Sequence, residues 1–222
     1  MEHKSTREKM AGMSRKEKVH YIWYYYKIHI IGSILLIMAV TSFIVDTVNT
    51  KDVLLNVTLM GKYVDSEKLE SLEKRTTEEL VKDPKNKTEI RYDYLSKSDD
   101  PRDQFTPVSL QKLTASVAAA DVDILILDKN DFEIYAKQGM FLPLTSVPEF
   151  ASIDLKGYGT IKYSNKENDI KEDIYAINIA GLPILKDISF DTKDKVLGVI
   201  SNSKHLNKTV EFLNWFLSQS SL

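Results

Sequence analysis

The apolar run Val122-Asp123-Ile124-Leu125-Ile126-Leu127 decides the fold class of this chain of 222 residues. A strand that is buried on both faces of a parallel sheet has such a sequence, because helices cover both sides of the sheet. Side chains alternate between the two faces along a strand. We therefore predict a central parallel strand with Ile124 and Ile126 on one face and Leu125 and Leu127 on the other.

Predicted strands and helices alternate around this run. Strand patterns cover 53–60, 88–94, 159–164, 174–179 and 196–201. Helical spacing predicts four helices. Two cover 65–82 and 208–218. A third has Pro107 in its first turn and Ala118 on its inner face, and a short fourth is capped by Asn130 and ends at Gly139. This alternation predicts a doubly wound α/β domain with a mostly parallel sheet. At about 170 residues, 53–222 is long enough to be one domain with its own core.

Three segments of this domain carry a family resemblance. They are residues 122–144, 173–177 and 199–218. The first segment begins with the central strand and ends with Phe141-Leu142-Pro143-Leu144. In this order they resemble three segments of the extracellular solute-binding proteins of ABC importers. The resemblance implies the type II periplasmic-binding fold.

The chain also departs from that family. Fewer than 20 residues separate Ile177 from Val196, so the excursion that would build a second lobe is missing. Ala176 and Asn178 stand where the family's Tyr-Gly-x-Pro strand has a small residue and a proline. The resemblance therefore implies a fold truncated to about one lobe, and it implies solute capture less strongly.

The candidate ligand site lies at the carboxyl edge of the predicted sheet. Ligands of open α/β sheets bind outside the carboxyl ends of the strands. Gly61, Lys62, Asp128 and Asn178 come at such ends and would rim the site. Without a facing lobe they have no cleft to close, and the sequence leaves open whether a small molecule binds.

Sequence patterns typical of catalysis or metal binding are absent or incomplete. The chain has no Gly-x-Gly-x-x-Gly and no phosphate-binding Gly-x4-Gly-Lys motif, and it has no cysteine. Ser109 to Lys112 and Ser201 to Lys204 match Ser-x-x-Lys, but no Lys-Thr-Gly partner follows. His205 stands alone in a predicted loop, and Asp123 is interpreted as a turn or edge charge. We expect no enzyme activity, no cofactor and no metal site.

A second apolar run predicts a membrane anchor. Residues 28–45 contain no Asp, Glu, Lys or Arg, and about 20 mostly apolar residues span a bilayer core. We predict a transmembrane helix at 28–48. A cleaved signal peptide is the alternative, but such apolar regions run about 7–15 residues and end in a small-x-small site. Here the run is longer and ends Phe43-Ile44-Val45-Asp46.

The segment before the span is predicted to be an amphipathic juxtamembrane helix, 14–27. Ser14 and Glu17 have the spacing of a capping box. A membrane-interface role or a contact with another integral membrane protein is expected for the cluster Trp23, Tyr24, Tyr25, Tyr26 and Lys27. Residues 1–13 are polar and are expected to be a disordered cytoplasmic tail.

The charge distribution predicts the orientation. Residues 1–27 carry seven Lys or Arg against three Glu, whereas 46–52 carries one cation. Lys and Arg are retained on the cytoplasmic side, so 53–222 is expected to be extracytoplasmic. Residues 46–222 have a net charge of −6, which is not the basic footprint of a nucleic-acid binder. Asn56, Asn86 and Asn207 begin matches to the N-glycosylation pattern, but three matches are close to chance, and we interpret the context as bacterial export instead.

Two classes of function fit this organisation. The first is a membrane-tethered extracytoplasmic accessory subunit of a bacterial membrane transport complex, of the ABC type, which contacts a permease. The second is a tethered extracytoplasmic sensor or assembly factor without a transport role. The 27 residues before the span are too few for a signalling domain, which favours the accessory subunit. The lipid bilayer is a partner in both.

The predicted topology can be tested by proteolysis of intact, wall-stripped cells. Because the charge asymmetry places the N-terminus inside, added protease should remove the 46–222 region and spare an N-terminal tag. Immunoblotting of both ends measures the result. Loss of the N-terminal tag with retention of the C-terminal region would reverse the orientation.

Overall fold

The computed structural model of the chain describes residues 13–49, 51–81, 88–100, 102–165 and 170–219, with the backbone alone for 42–49. Contacts divide the chain into two units, Met1–Thr50 and Lys51–Leu222. We call the second the outer unit. The predicted disorder of 1–13 falls almost wholly on residues outside the described part.

Among its described residues, the first unit contains one helix, α1 (Arg15–Asn49). The predicted capping box is confirmed, because the Ser14 N–H donates to Glu17 Oε2 at 2.7 Å and the Glu17 N–H donates to Ser14 Oγ at 3.4 Å. The predicted juxtamembrane helix and span are continuous in α1. By length and composition, Arg15–Thr41 is suited to cross a membrane, a property that signal sequences share.

The outer unit contains six strands and five α-helices among its described residues. The strands are β1 (Asp52–Gly61), β2 (Thr88–Ser96), β3 (Ile124–Asp128), β4 (Thr160–Asn165), β5 (Ile170–Asn178) and β6 (Lys195–Val199). The helices are α2 (Ser66–Leu80), α3 (Phe105–Ala118), α4 (Lys129–Lys137), α5 (Pro183–Asp187) and α6 (Leu206–Ser218), with a 3-10 helix at Pro148–Ser152.

All six strands form one sheet in the order β2-β1-β3-β6-β5-β4. β1 is parallel to β2 and to β3, whereas the β3–β6, β6–β5 and β5–β4 pairs are antiparallel. Four strands therefore point one way, and only β4 and β6 point the other. This confirms the predicted α/β fold with a mostly parallel sheet.

β3 lies at the centre of the sheet and separates two apolar layers. Ile124 and Ile126 pack in the layer that includes Phe212 and Phe216 of α6. Leu125 and Leu127 pack in the layer that includes Leu113 of α3 and Phe132 of α4. The predicted division of these four side chains between the two faces is confirmed.

Three local features differ from the sequence predictions. Asp128, not Asn130, occupies the N-cap of α4, because the helix begins at Lys129 directly after β3. Ala118 is exposed at the end of α3 rather than on its inner face. The 3-10 helix and α5 were not predicted, since each has only five residues, too few to show helical periodicity.

Side chains of α2 cover the outer edge of β2. The Tyr92 N–H donates to Glu73 Oε2 at 3.0 Å, and the Ile90 N–H donates to Thr77 Oγ at 3.0 Å. An unpaired strand edge is a template for pairing with another chain. The two α2 side chains satisfy these amides and so block pairing at this point.

Truncation of β3 should destabilise the outer unit. Leu125 is fully buried, so Leu125→Ala is expected to cost roughly 2–5 kcal/mol of unfolding free energy. Ile134 is 55% exposed, and Ile134→Ala is the matched control, with an expected change within about 0.5 kcal/mol. Denaturant melts of the purified chains measure both. Equal stability of the two variants would contradict the central position of β3.

Candidate functional site

Charged side chains converge at the carboxyl edge of the parallel strands. β1 is followed by Lys62, β2 by Lys97, and β3 ends at Asp128. β6 runs the opposite way and starts at this edge, so Lys195 lies directly opposite Asp128 in the β3–β6 register. The tertiary pairing of two strands thus creates an ion pair from residues 67 positions apart.

The Lys195 ammonium is almost completely buried. Its Nζ donates to Asp128 Oδ1 at 2.7 Å and to the Met60 carbonyl at 3.2 Å, and it lies 5.6 Å from the centre of the Phe190 ring. The Lys195 side chain is 5% exposed and the Asp128 side chain is 36% exposed. A buried charge is tolerated only when it is paired and hydrogen-bonded, so this contact fixes both strand ends.

Two further lysines form ion pairs beside this contact. Lys97 pairs with Asp131, and its Nζ lies 3.8 Å from Asp128 Oδ2. Lys62 pairs with Asp99 at 2.7 Å on the exposed rim. The Asp99 carboxylate raises the pKa of Lys62, first through the hydrogen bond and then through its charge, and Lys62 lowers the pKa of Asp99 in return. Exposed pairs of this kind contribute little stability.

A cavity of about 610 Å³ opens at this edge. It is lined by lysines and aspartates in nearly equal number, with one asparagine: Lys62, Lys97, Asp99, Asp128, Lys129, Asn130, Asp191, Lys193, Asp194 and Lys195. We call it the charged cavity. The near-balance of signs gives it no strong preference for a cation or an anion.

The loop before β6 forms one wall of the charged cavity. Asp194 has a φ of +55°, in the left-handed region that non-glycine residues seldom occupy. Its carbonyl accepts a hydrogen bond from the Lys129 N–H at 2.9 Å. This contact joins the loop to the first residue of α4 and so helps to hold the wall in place.

The structure brings together only some of the predicted rim residues. Lys62 and Asp128 line the charged cavity. Asn178 ends β5 at the same edge but lines a different cavity of about 580 Å³, together with Gly157 and Gly181. A ligand role for any of these residues stays a prediction.

Gly61, the fourth predicted rim residue, is buried and has a packing role. A Cβ on Gly61 would lie 2.7 Å from Cε2 of Phe190. Its carbonyl accepts hydrogen bonds from the Tyr94 hydroxyl at 2.9 Å and from the Lys97 N–H at 2.7 Å. The absence of a side chain therefore lets Phe190 cover the end of β1.

Sequence reasoning missed Lys97 and Lys195. Each is a lysine at the end of an apolar or alternating segment, which by itself is typical of a solvated strand end. The charge pattern could have identified Lys195 only if β6 had been predicted to be antiparallel to β3. The apolar sequence of β6 carries no information on its direction.

Asp123 and His205 also differ from the sequence interpretation. Asp123 is 2% exposed, and its carboxylate accepts hydrogen bonds from the Asn56 N–H at 2.8 Å and the Ser203 hydroxyl at 2.6 Å. His205 Nδ1 lies 3.1 Å from Asp123 Oδ2. His205 is therefore not isolated, and Asp123 is a buried connection between β1, β3 and the start of α6.

The Asp123, Ser203 and His205 cluster does not have the geometry of a hydrolase triad. In such a triad the serine hydroxyl is hydrogen-bonded to the histidine Nε2. Here the Ser203 hydroxyl donates to the Asp123 carboxylate, and Ser203 Oγ accepts from the His205 backbone N–H at 3.3 Å. The serine is thus held as a structural link and is not activated as a nucleophile.

A second buried carboxylate, Asp173, ties a loop to β5. It accepts hydrogen bonds from the Thr145 and Ser146 hydroxyls and from the backbone N–H groups of Thr145 and Ile174. Burial by itself would raise the pKa of Asp173, but these hydrogen bonds outweigh it and the pKa is lowered. The carboxylate stays ionised and serves the fold. Among the residues that the structure describes, no group of His, Asp and Glu could hold a metal ion.

Two solved structures are similar to part of the chain. An extracellular solute-binding protein family 1 from Alicyclobacillus acidocaldarius subsp. acidocaldarius DSM 446 is 20% identical, with a TM-score of 0.36, and the similarity covers 58% of this chain and 28% of that one. The N-glycan transport solute binding protein NgtS from Streptococcus pneumoniae is 19% identical, with a TM-score of 0.33 and coverage of 60% and 26%.

The chain therefore matches less than a third of the length of either protein. No family model matches the chain, and no curated protein matches it. At these TM-scores, the two likenesses assign the chain neither a family nor a function.

The two partners of the buried ion pair should differ in their contribution to stability. Asp128→Asn leaves the buried ammonium without its carboxylate, so we expect a loss of roughly 2–4 kcal/mol, which is reduced from the fully buried case because Asp128 is partly exposed. Lys195→Met removes the buried charge and leaves Asp128 near solvent and Lys97, so a loss of roughly 1–2 kcal/mol is expected.

Urea unfolding of both variants measures these losses, with Lys62→Met of the exposed pair as control. The control should leave the unfolding free energy unchanged, because its ion pair is exposed to solvent. A larger loss for Lys195→Met than for Asp128→Asn would show that Lys195 contributes through packing rather than as a buried charge.

Proposed function

We propose that the protein is a membrane-tethered extracytoplasmic accessory subunit of a bacterial membrane transport complex of the ABC type. In this role, α1 anchors the chain with its N-terminus in the cytoplasm, and the outer unit contacts a permease. The protein acts by binding and carries out no chemical reaction.

One observation carries this proposal: the exposed large apolar side chains of the outer unit follow the carboxyl ends of its three parallel strands. Among the described residues of that unit they are Tyr63, Phe105, Val108 and Ile134, between 55% and 71% exposed. Tyr63 follows β1, Phe105 and Val108 follow β2, and Ile134 follows β3. Single exposed apolar residues are common, but their restriction to segments after one edge favours a contact surface.

The charges at this edge support protein contact over capture of a small solute. Lys62, Lys97 and Lys195 are already paired with aspartates of the same chain. At these three lysines, a small charged solute would have to compete with the existing ion pairs. A protein surface can cover the pairs without breaking them, as the polar rim of an interface does.

The first strand shows where the chain enters the outer unit. β1 begins at Asp52, directly after the segment that follows α1. Because β1 ends at the carboxyl edge, the chain enters at the opposite, amino edge of the sheet.

Co-purification from native membranes in mild detergent tests this function. A transporter ATPase and a permease should co-purify with the tagged chain. The variant Phe105→Asp/Val108→Asp should lower their yield at least several-fold, because apolar anchors at the centre of an interface dominate binding. Ala115→Asp lies on an exposed position about 15 Å further along α3 and is the matched control, with an unchanged yield expected.

A second arm separates the anchor from the outer unit. Replacement of residues 14–46 by an unrelated transmembrane helix should preserve export, and the remaining yield measures the contribution of the outer unit alone. Co-purification of a sensor kinase or an assembly machine without a transporter would instead support a tethered sensor or assembly factor. Micromolar binding of a small solute by the purified chain would contradict the accessory role.

A further inference from the structure

α1 is longer than a bilayer requires. Its uncharged run, 28–45, is about 27 Å long and approximates the hydrocarbon thickness of about 30 Å. The 13 residues before it continue the same helix and add about 20 Å. The headgroup layer on one side is only roughly 5–8 Å thick. The segment 15–27 therefore passes through the headgroups and extends beyond them.

Aromatic side chains surround this part of the helix and form what we call the aromatic belt. They are Tyr21, Trp23, Tyr24, Tyr25 and Tyr26, and the last four are 41–66% exposed. At about 100° per residue, no gap between neighbouring rings around the helix axis exceeds about 100°. The rings of Tyr21 and Tyr25 lie 4.6 Å apart, and those of Tyr24 and Tyr25 lie 5.1 Å apart.

An aromatic belt of this kind is better suited to contact with lipid than to contact with a single protein partner. A partner helix contacts one stripe of α1 and would leave most of the aromatic rings in contact with other groups. Headgroups surround a single transmembrane helix on every side, and Trp and Tyr are the residues that prefer this depth.

Cations flank the aromatic belt at both ends. Arg15, Lys16 and Lys18 precede it and Lys27 follows it, against the single acid Glu17. The Glu17 carboxylate is engaged by the backbone N–H and hydroxyl of Ser14, which lower its pKa. The N-terminal end of the helix dipole adds further positive potential beside the first three cations.

We propose that residues 15–27 of α1 form a binding site for anionic phospholipid headgroups, in which Lys27 contacts phosphates, Arg15, Lys16 and Lys18 attract the anionic surface from within about a Debye length, and the aromatic belt fixes the depth. This proposal rests on the membrane tether of the proposed function. Basic residues near a membrane surface attract anionic lipids, so a clear preference for anionic over zwitterionic lipid is expected.

Fluorescence quenching of Trp23 tests this site in the full chain. The chain has two tryptophans, so Trp215→Phe leaves Trp23 as the single reporter. The protein is reconstituted into phosphatidylcholine vesicles that contain increasing fractions of phosphatidylglycerol or phosphatidylcholine brominated near the glycerol backbone. The ratio of the two quenching curves gives the relative affinity of the lipids that touch Trp23.

Phosphatidylglycerol should bind roughly 5-fold or more tightly than phosphatidylcholine at low salt, and the preference should shrink in 0.5 M NaCl through screening. Arg15→Gln/Lys16→Gln/Lys18→Gln/Lys27→Gln should bring the ratio close to one. The matched control neutralises four exposed cations of the outer unit, Lys68, Lys74, Arg102 and Lys162, and should keep the wild-type ratio.

Three results would overturn the proposal. Equal affinity for the two lipids in the parent chain would show a belt without charge recognition. Loss of preference in the outer-unit control would locate the site elsewhere. Trp23 protected from both brominated lipids would show that protein covers the belt. Resistance to alkaline carbonate extraction is measured in parallel, because a chain that is extracted refutes the membrane tether itself rather than the lipid preference.

Discussion

The side chains of Ile124, Leu125, Ile126 and Leu127 are all removed from water, so β3 requires apolar partners on both sides at once. One short strand can meet this requirement only between two layers of helices. The α6 aromatics supply one layer, and Phe132 with Leu113 supplies the other. Because β3 is held from both faces, its carboxyl end is a fixed point, and the charged cavity is built around that end. The position of Asp128 is thus a consequence of the packing of the four residues that precede it in β3.

The direction of β6 then determines the chemistry of the carboxyl edge. If β6 were parallel to β3, its first residue, Lys195, would lie at the amino edge, and Asp128 would face apolar side chains from the other strand end. The antiparallel arrangement brings Lys195 to within 2.7 Å of Asp128, and burial makes this pair more demanding than the exposed pair of Lys62 and Asp99. The carboxyl edge is therefore lined by charges that are already paired within the chain.

α1 follows different physics from the outer unit. Its apolar side chains, such as Ile28, Leu35 and Leu36, are more than 60% exposed, and in water this exposure would be unfavourable by about 25 cal/mol per Å² of apolar surface. In the proposed anchor, a bilayer would remove this penalty for the uncharged run, and the aromatic residues just before it would lie at the headgroup layer. Under this proposal the two units of the chain are stabilised by two solvents, and each can be tested by its own variants.

The sequence alone determined the features that depend on local periodicity and composition. The two faces of β3, the capping box at Ser14 and Glu17, the long apolar helix and the α/β class all follow from side-chain spacing, which a strand or helix imposes wherever it lies in the fold. The tertiary structure alone decided which residues meet across the sheet. Strand direction joined Asp128 to Lys195, and the turn before α6 brought His205 to the buried Asp123 rather than leaving it in a loop. Gly61, which was predicted at a ligand rim, lies beneath Phe190. The sequence could not show this contact, because a glycine at a strand end has the same sequence signature whether or not an aromatic ring covers it. Contacts between residues far apart in the chain depend on packing free energy summed over the whole core, and no local pattern encodes that sum.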